Sequence, residues 1–505
     1  MAIATATKHL APDERQSVWR TLRAPRHLRT EVLAGLVVAL ALIPEAIAFS
    51  LIAGVDPRVG LFASFTMAVS IAFLGGRPAM ISAATAATAL VIAPLVDSYG
   101  IDYFIAAVIL AGIFQIILGI SGVAKLIRFI PRSVMVGFVN ALAILIFTSQ
   151  LPELLGVPWL VYPMVAVGLV IIFLLPRITR VVPAPLVAIV VVTAAALIFA
   201  VAVPTVGDKG ELPASLPSLF LPNVPLTLET FQIIAPFAAG MAVVGLMESL
   251  MTAKLVDDVT DTRSQKTRES WGQGAANIIT GFFGGMGGCA MVGQTMINVK
   301  ASGARTRIST FMAGIFVLIL VVALGDVVAL IPMAALVAVM IFVSIATFDW
   351  HSIQPATLKR MPKSETTVML ATVIVTVWTH NLAIGVIVGV LVAMVAFARR
   401  VAHFVTVERS REEQFGAPVA KYRVSGELFF ASSNDLYTQF EYAEDPDIIV
   451  IDLHGSHLWD ASTIAALDSI AAKYESYGKE VQVEGLNTAS VAIRERLGGH
   501  LGGGH

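Results

Sequence analysis

Apolar segments long enough for a bilayer follow one another from about residue 31 to residue 400, after which the chain turns to alternating strand and helix patterns. A hydrocarbon layer about 30 Å thick asks for about 20 apolar residues per helix. On that measure, segments fall at 31–53, 58–75, 82–97, 102–122, 132–150, 158–176, 183–204, 231–256, 271–283, 289–300, 306–325, 327–347, 366–380 and 383–400. The third, ninth and tenth are too short or too interrupted to be ordinary spans.

Basic residues test this count, because loops on the cytoplasmic side hold the Lys and Arg. With the amino terminus inside, alternate loops carry Arg77, then Lys125, Arg128 and Arg132, then Arg177 and Arg180, then Lys254, Arg263, Lys266 and Arg268. The series continues with Lys300, Arg305 and Arg307, and then Lys359, Arg360 and Lys363. The opposite loops hold little beyond Arg58 and Lys209. This alternation favours fourteen spans, with both termini on the cytoplasmic side. Fourteen divides into seven and seven, and an odd number per half inverts the second copy, a common construction in secondary transporters. Internal echoes fit: Ala34-Gly35 before Glu45 matches Ala239-Gly240 before Glu248, and GGRPAMISAATAAT from Gly75 matches GGCAMVGQT from Gly287. Short matches among Ala and Gly also arise by chance.

Residues 284–300, GGMGGCAMVGQTMINVK, place five glycines in ten positions within this apolar chain. A segment that starts late, after glycines, reads as a half-helix whose amino end lies near the membrane midplane. Its first N–H groups have no intrahelical acceptor. Two such ends, one from each half, would form a site suited to an anion. Close packing of small residues is the alternative reading. Glu45 and Glu248 are the acidic residues set well inside spans. Intramembrane carboxylates typically pair, bind a cation or carry a proton. Thr252, one turn beyond Glu248, is placed to add an oxygen for a small cation. Hydrogen bonding to a broken-helix backbone is the simpler role for either glutamate. Pro44 is expected to kink the first span.

Composition narrows the class. With 57% hydrophobic and 14% charged residues and a mean hydropathy of +0.82, the chain is a polytopic α-helical membrane protein. The single Cys289 excludes an internal disulfide, and nine scattered His show no metal-ligand spacing. There is no Walker loop and no nucleophile–base constellation, so neither ATP-driven pumping nor enzymatic activity is expected, and no cofactor or nucleic acid is implied. The basic first thirty residues read as an arm on the cytoplasmic membrane surface.

The stretch IPEAIAFSLIAGVDPRVGLF at 43–62 resembles the first-span signature of the SulP anion transporters. MESLMTAKLVDD from Met247 resembles the eighth-span signature and GGMGGCAMVGQTMINVKASGARTRIS from Gly284 the tenth. The resemblance implies a seven-plus-seven inverted repeat of core and gate domains, elevator-type alternating access and a homodimer. It also implies substrate between Ala83, Ala84, Thr85 and Ala86 on one side and Met291, Val292, Gly293, Gln294 and Thr295 on the other. The chain departs from the family pattern at Ala83-Ala84, where Gly-Pro is common, and at Gln294, near which some members carry an Arg.

From about Val401 the composition becomes polar. VAKYRVSGELFF, DIIVIDL and KEVQVEGL read as strands, and WDASTIAALDSIAAKYESYG as a helix capped by Asp460. This resembles the STAS domain that closes SulP proteins, with Ala461 where phosphorylated relatives carry Ser.

These readings divide the chain into a basic arm (1–30), repeat 1 (31–204), a Pro-rich extracytoplasmic loop (205–230), repeat 2 (231–402), a cytoplasmic STAS domain (403–496) and a tail (497–505). The expected function is secondary active transport of a small anion across a bacterial inner membrane. A dicarboxylate is slightly preferred over sulfate or bicarbonate, and protons over sodium as the coupling ion, with Glu248, Glu45 and Thr252 as coupling residues. An uncoupled channel or exchanger, or a STAS-dependent membrane regulator, remain open on sequence alone.

Overall fold

The computed structural model describes residues 17–122, 130–178, 183–213, 215–402, 405–414, 417–430, 432 and 436–497. Lys8, Arg15, Lys125, Arg128, Arg180, His500 and His505 lie outside them. The chain divides after Val390 into two compact units.

The first unit opens with the short helix α1 (Val18–Arg23) and the long α2 (Pro25–Ile52), which begins earlier than the hydropathy suggests and takes Arg26 and Arg29 into its first turns. Then come α3 (Pro57–Leu74), the three-residue strand β1 (Ser82–Ala84), and α4 (Ala86–Tyr99), α5 (Ile101–Ile120), α6 (Arg132–Gln150), α7 (Val161–Ile178) and α8 (Ala184–Ile198). The same order returns with α9 (Leu228–Thr260), α10 (Lys266–Phe282), strand β2 (Gly288–Ala290) and the short α11 (Val292–Met296), which runs on as a π-helical turn over Ile297–Ala301. α12 (Arg307–Ala329), α13 (Met333–Thr347), the small α14 (Pro355–Arg360) and α15 (Lys363–Thr379) follow, and α16 (Leu382–Ala402) runs across the division at Val390. Among the described residues, eight helices are long and apolar enough to cross a membrane.

The ninth segment departs from its expected form. It is not broken: α10 is a continuous 17-residue helix that starts at Lys266. Its first turns are too polar to register as apolar, and Glu269, Gln273 and Asn277 are all fully buried. At intervals of four residues these side chains share one face, which is turned to protein. Small residues bring its neighbours close: a Cβ on Gly274 would meet the Gly112 carbonyl of α5, and one on Gly112 the Gly274 carbonyl, the approach that small-residue helix contacts permit.

α2 to α5 pack with α9 to α12, and α6 to α8 pack with α13 and α15. Ends that the charge pattern assigned to one face do meet. Arg77 pairs with Asp257 at 3.0 Å, and Lys266 reaches the same carboxylate at 3.1 Å. Arg268 and Arg307 donate to the last carbonyls of α3, at Phe73 and Leu74 and at Ala72 and Gly75, where cations complement the negative helix end. Arg58 and Lys209, the exceptions to the charge pattern, bond Glu211 and Glu153.

The second unit carries the sheet β3 (Thr406–Gln414), β4 (Ala417–Leu428), β5 (Ile448–Leu458) and β6 (Glu480–Glu484), in that order. β3 is antiparallel to β4, and the remaining pairs are parallel. The charge run ERSREE lies in β3, an edge strand, where charges discourage pairing with other chains. Helix α17 (Ala461–Ser476) is capped by Asp460, whose carboxylate accepts from the Thr463 amide at 3.1 Å; α18 (Thr488–Leu497) follows β6. Beneath the sheet, the buried Asp445 accepts from the hydroxyls of Tyr422 (2.7 Å) and Tyr474 (2.6 Å) and from Arg409 Nε (2.9 Å).

Candidate functional site

β1 and β2 pair with each other although about 200 residues separate them, in the register Ser82 to Ala290, Ala83 to Cys289 and Ala84 to Gly288. The pairing is antiparallel, so the helices that leave the two strands run in opposite directions, and their amino ends flank one ribbon. Gly288 is obligatory here, because a Cβ would land on the Ala83 carbonyl. Asn277 of α10 clamps the same residue, donating to its carbonyl at 3.1 Å and accepting its amide at 2.9 Å. Extended backbone this deep in a helical bundle requires such internal partners.

Each expected site residue falls on this ribbon or at a helix start beside it. Ala83 and Ala84 form the strand without the Gly-Pro pair, and Thr85 caps α4, its Oγ1 accepting from the Thr88 amide at 3.4 Å. Ala86 opens that helix and is buried. On the other side the Met291 amide donates to Ile81 at 2.9 Å. Thr295 Oγ1 accepts from the Ile81 amide at 3.0 Å, so its hydroxyl serves the ribbon. Val292 and Gly293, the first residues of α11, are exposed, and no atom lies within 4 Å of a Cβ built on Gly293. The two ends are therefore unequal: the start of α4 is enclosed, whereas that of α11 faces open space.

The two intramembrane glutamates bond successive elements, Glu248 the strand β2 and Glu45 the helix α11. Glu45 of α2 accepts from Gln294 Nε2 at 2.5 Å, and Glu248 of α9 accepts from Cys289 Sγ at 3.0 Å. Thr252 does not complete an oxygen cluster with the Glu248 carboxylate. Its hydroxyl donates to the Glu248 carbonyl at 2.8 Å, the usual back-bond of a helical threonine. Among the described residues no group of three His, Cys, Asp or Glu is arranged to hold a metal ion.

Several supporting residues escape sequence reasoning. Glu269 accepts from the amides of Gly76 (2.7 Å) and Arg77 (3.0 Å), fixing the turn that leads into β1. Gln273 donates to Glu269 and to Ser82 of β1. The four-residue spacing Glu269, Gln273, Asn277 is the signal that identifies this face. Glu31 plays the matching part for α12, accepting from the amides of Arg305, Thr306 and Ser309.

Comparison with known proteins identifies the family. The model of the Sulfate permease family matches residues 28–162 and 159–372, and that of the STAS domain residues 412–498. "Putative sulfate transporter YbaR" of Bacillus subtilis is 53% identical over 93% of this chain and 97% of its own length. The murine Slc26a9 anion transporter superposes with a TM-score of 0.79 at 17% identity, over 94% of this chain and 88% of that one. The transmembrane domain of a cyanobacterial bicarbonate transporter, BicA, gives 0.63 at 25% identity, over 72% and 97%. On the strength of these matched segments and the 53% identity to YbaR, this chain belongs to the sulfate permease family and ends in a STAS domain.

Proposed function

We propose that the chain is a secondary active transporter of small anions that binds its substrate at the β1/β2 ribbon and moves it together with protons. Anion transport follows from family membership; substrate, coupling and mechanism are our reading. The observation that carries it is the exposed start of α11 at Val292 and Gly293, with two carboxylates bonded to the residues on either side, Cys289 and Gln294. Free N–H groups and the positive helix end attract an anion. Ionised Glu45 and Glu248 repel it, each by about 3 kcal/mol at a separation of about 5 Å and an effective dielectric near 20. Protonation removes that repulsion, so proton and anion bind best together.

The names borne by the relatives move the preference from dicarboxylate to sulfate or bicarbonate. Backbone donors suit all three. The two packed groups of helices supply the moving and static bodies of an elevator, the ribbon riding with α2 to α5 and α9 to α12. A homodimer in the bacterial inner membrane, both termini cytoplasmic, completes the proposal.

Uptake by the purified protein in liposomes, with sulfate, bicarbonate and C4-dicarboxylates under imposed proton or sodium gradients, tests it. A proton gradient is expected to drive accumulation of at least one of these anions; uptake of all of them indifferent to either gradient overturns it. Gly293→Ala is expected to fold normally, since its Cβ meets nothing. It should weaken anion affinity several-fold by crowding the amides of α11, as competition binding would record.

A further inference from the structure

We propose that Cys289 is a positioning residue that links the ionisation of Glu248 to the amino-terminal cap of α4. The inference rests on the coupling role given to Glu248 above. The thiol lies in the middle of the ribbon, opposite Ala83, and is fully buried. On one side it donates to Glu248 Oε2 at 3.0 Å; on the other, Thr85 Oγ1 is 3.2 Å away. Thr85 Oγ1 is also 3.0 Å from Thr88 Oγ1. A single hydrogen-bonded chain thus joins α9, β2 and the cap of α4, spanning both halves of the protein.

Counting protons fixes how this chain behaves. The Thr88 hydroxyl has two carbonyl acceptors, Thr85 O and Gly287 O, each at 3.1 Å, so its one proton is spent there. It can only accept from Thr85. With Glu248 ionised, the thiol proton points to the carboxylate, and the Thr85 hydroxyl is free to donate to the sulfur. When one proton from solution binds Glu248 Oε2, the carboxyl becomes the donor. The sulfur then accepts from Glu248 and turns its own proton to Thr85 Oγ1, which must donate to Thr88. No covalent bond changes except the new O–H; the links Glu248 to Cys289 and Cys289 to Thr85 reverse, and the link from Thr85 to Thr88 forms. Thr85 Oγ1 then accepts from the thiol as well as from the Thr88 amide, so the cap of α4 registers the state of a carboxylate on another helix.

The surroundings leave this chain few competitors. The titratable groups near it are Glu248, Cys289 and Glu45, the last engaged by Gln294. α5 and α10 bring the neutral Gln115 and Asn277, which bond each other at 2.8 Å. Of the charged residues of α10, Glu269 holds Gly76 and Arg77, Lys266 pairs with Asp257, and Arg268 caps α3. Asp97 of α4 lies by Gly54, and Asp102 of α5 accepts the Asn223 amide.

The test is proton-driven anion uptake by wild type, Cys289→Ala, Cys289→Ser and Glu248→Gln in liposomes, with an infrared measurement on the wild type. A hydrogen bond to the ionised carboxylate favours that form. Its loss in Cys289→Ala should therefore lower the proton concentration for half-maximal uptake by about tenfold. The stronger hydroxyl donor of Cys289→Ser should raise it, giving the order Ala, Cys, Ser. Because the chain has one cysteine, its S–H stretching band is unambiguous and should shift as the pH is varied in wild type but not in Glu248→Gln. If Glu248→Gln abolishes proton dependence while both Cys289 variants superimpose on wild type and the band stays fixed, the relay is wrong and the coupling role stands. If Glu248→Gln keeps full proton dependence, the coupling role itself falls, and the relay with it.

Discussion

Glu248→Gln is expected to lose at least tenfold of proton-driven anion accumulation and, at alkaline pH, to bind anion more tightly than the wild-type protein. The second half of that expectation separates coupling from damage. Glutamine keeps the size of the side chain and a carbonyl to accept the Cys289 thiol now 3.0 Å from the carboxylate, but it carries no charge. The wild-type protein at high pH holds an anion next to an ionised Glu248 against a repulsion of about 3 kcal/mol, or roughly 100-fold in affinity before solvent screening reduces it. The variant is spared that repulsion at every pH and has lost the reason to take up a proton. Glu45→Gln should behave alike in smaller measure, since Gln294 can still donate to an amide oxygen. Anion binding by isothermal titration at two pH values, beside accumulation in liposomes, checks both. Weaker binding at alkaline pH would mean that the carboxylate supports the site instead of opposing its ligand.

What the sequence could reveal of this site followed from chemistry that is local in the chain. Glycines before a late-starting helix mark an irregular entry, and an acidic residue amid apolar ones marks a polar interior, so Glu45, Glu248 and the segment from Gly284 were legible. The enclosure of one helix start and the openness of the other were not, because they depend on which side chains converge from remote segments. Nor was the ribbon, whose three residues per strand leave no periodicity to read. α10 was clipped because hydropathy measures exposure to lipid, and its polar face meets protein: Glu269 on the turn before β1, Gln273 on Ser82, Asn277 on Gly288. In the second unit, Asp460 as a helix cap was legible because capping lies within four residues. ERSREE as a strand was not, because its pairing partner supplies the reason.

Gly288→Ala and Gly293→Ala add the same methyl group five residues apart and are expected to have opposite consequences. At Gly288 the Cβ meets the Ala83 carbonyl and amide-bearing backbone of the facing strand, which cannot rotate away. The strands must separate, loosening the Asn277 clamp and the Cys289 contact to Glu248 with them. Overpacking of this kind costs about 1–3 kcal/mol, enough to lower the melting temperature by several degrees, and transport should fall more than tenfold because both helix starts take their position from the ribbon. At Gly293 the methyl meets nothing, so stability should be unchanged and only anion affinity should suffer. Thermal unfolding in detergent and uptake in liposomes separate the two cases. Normal transport by Gly288→Ala would show that the antiparallel pairing does not hold the helix ends in place. The attraction for the anion would then have to come from side chains.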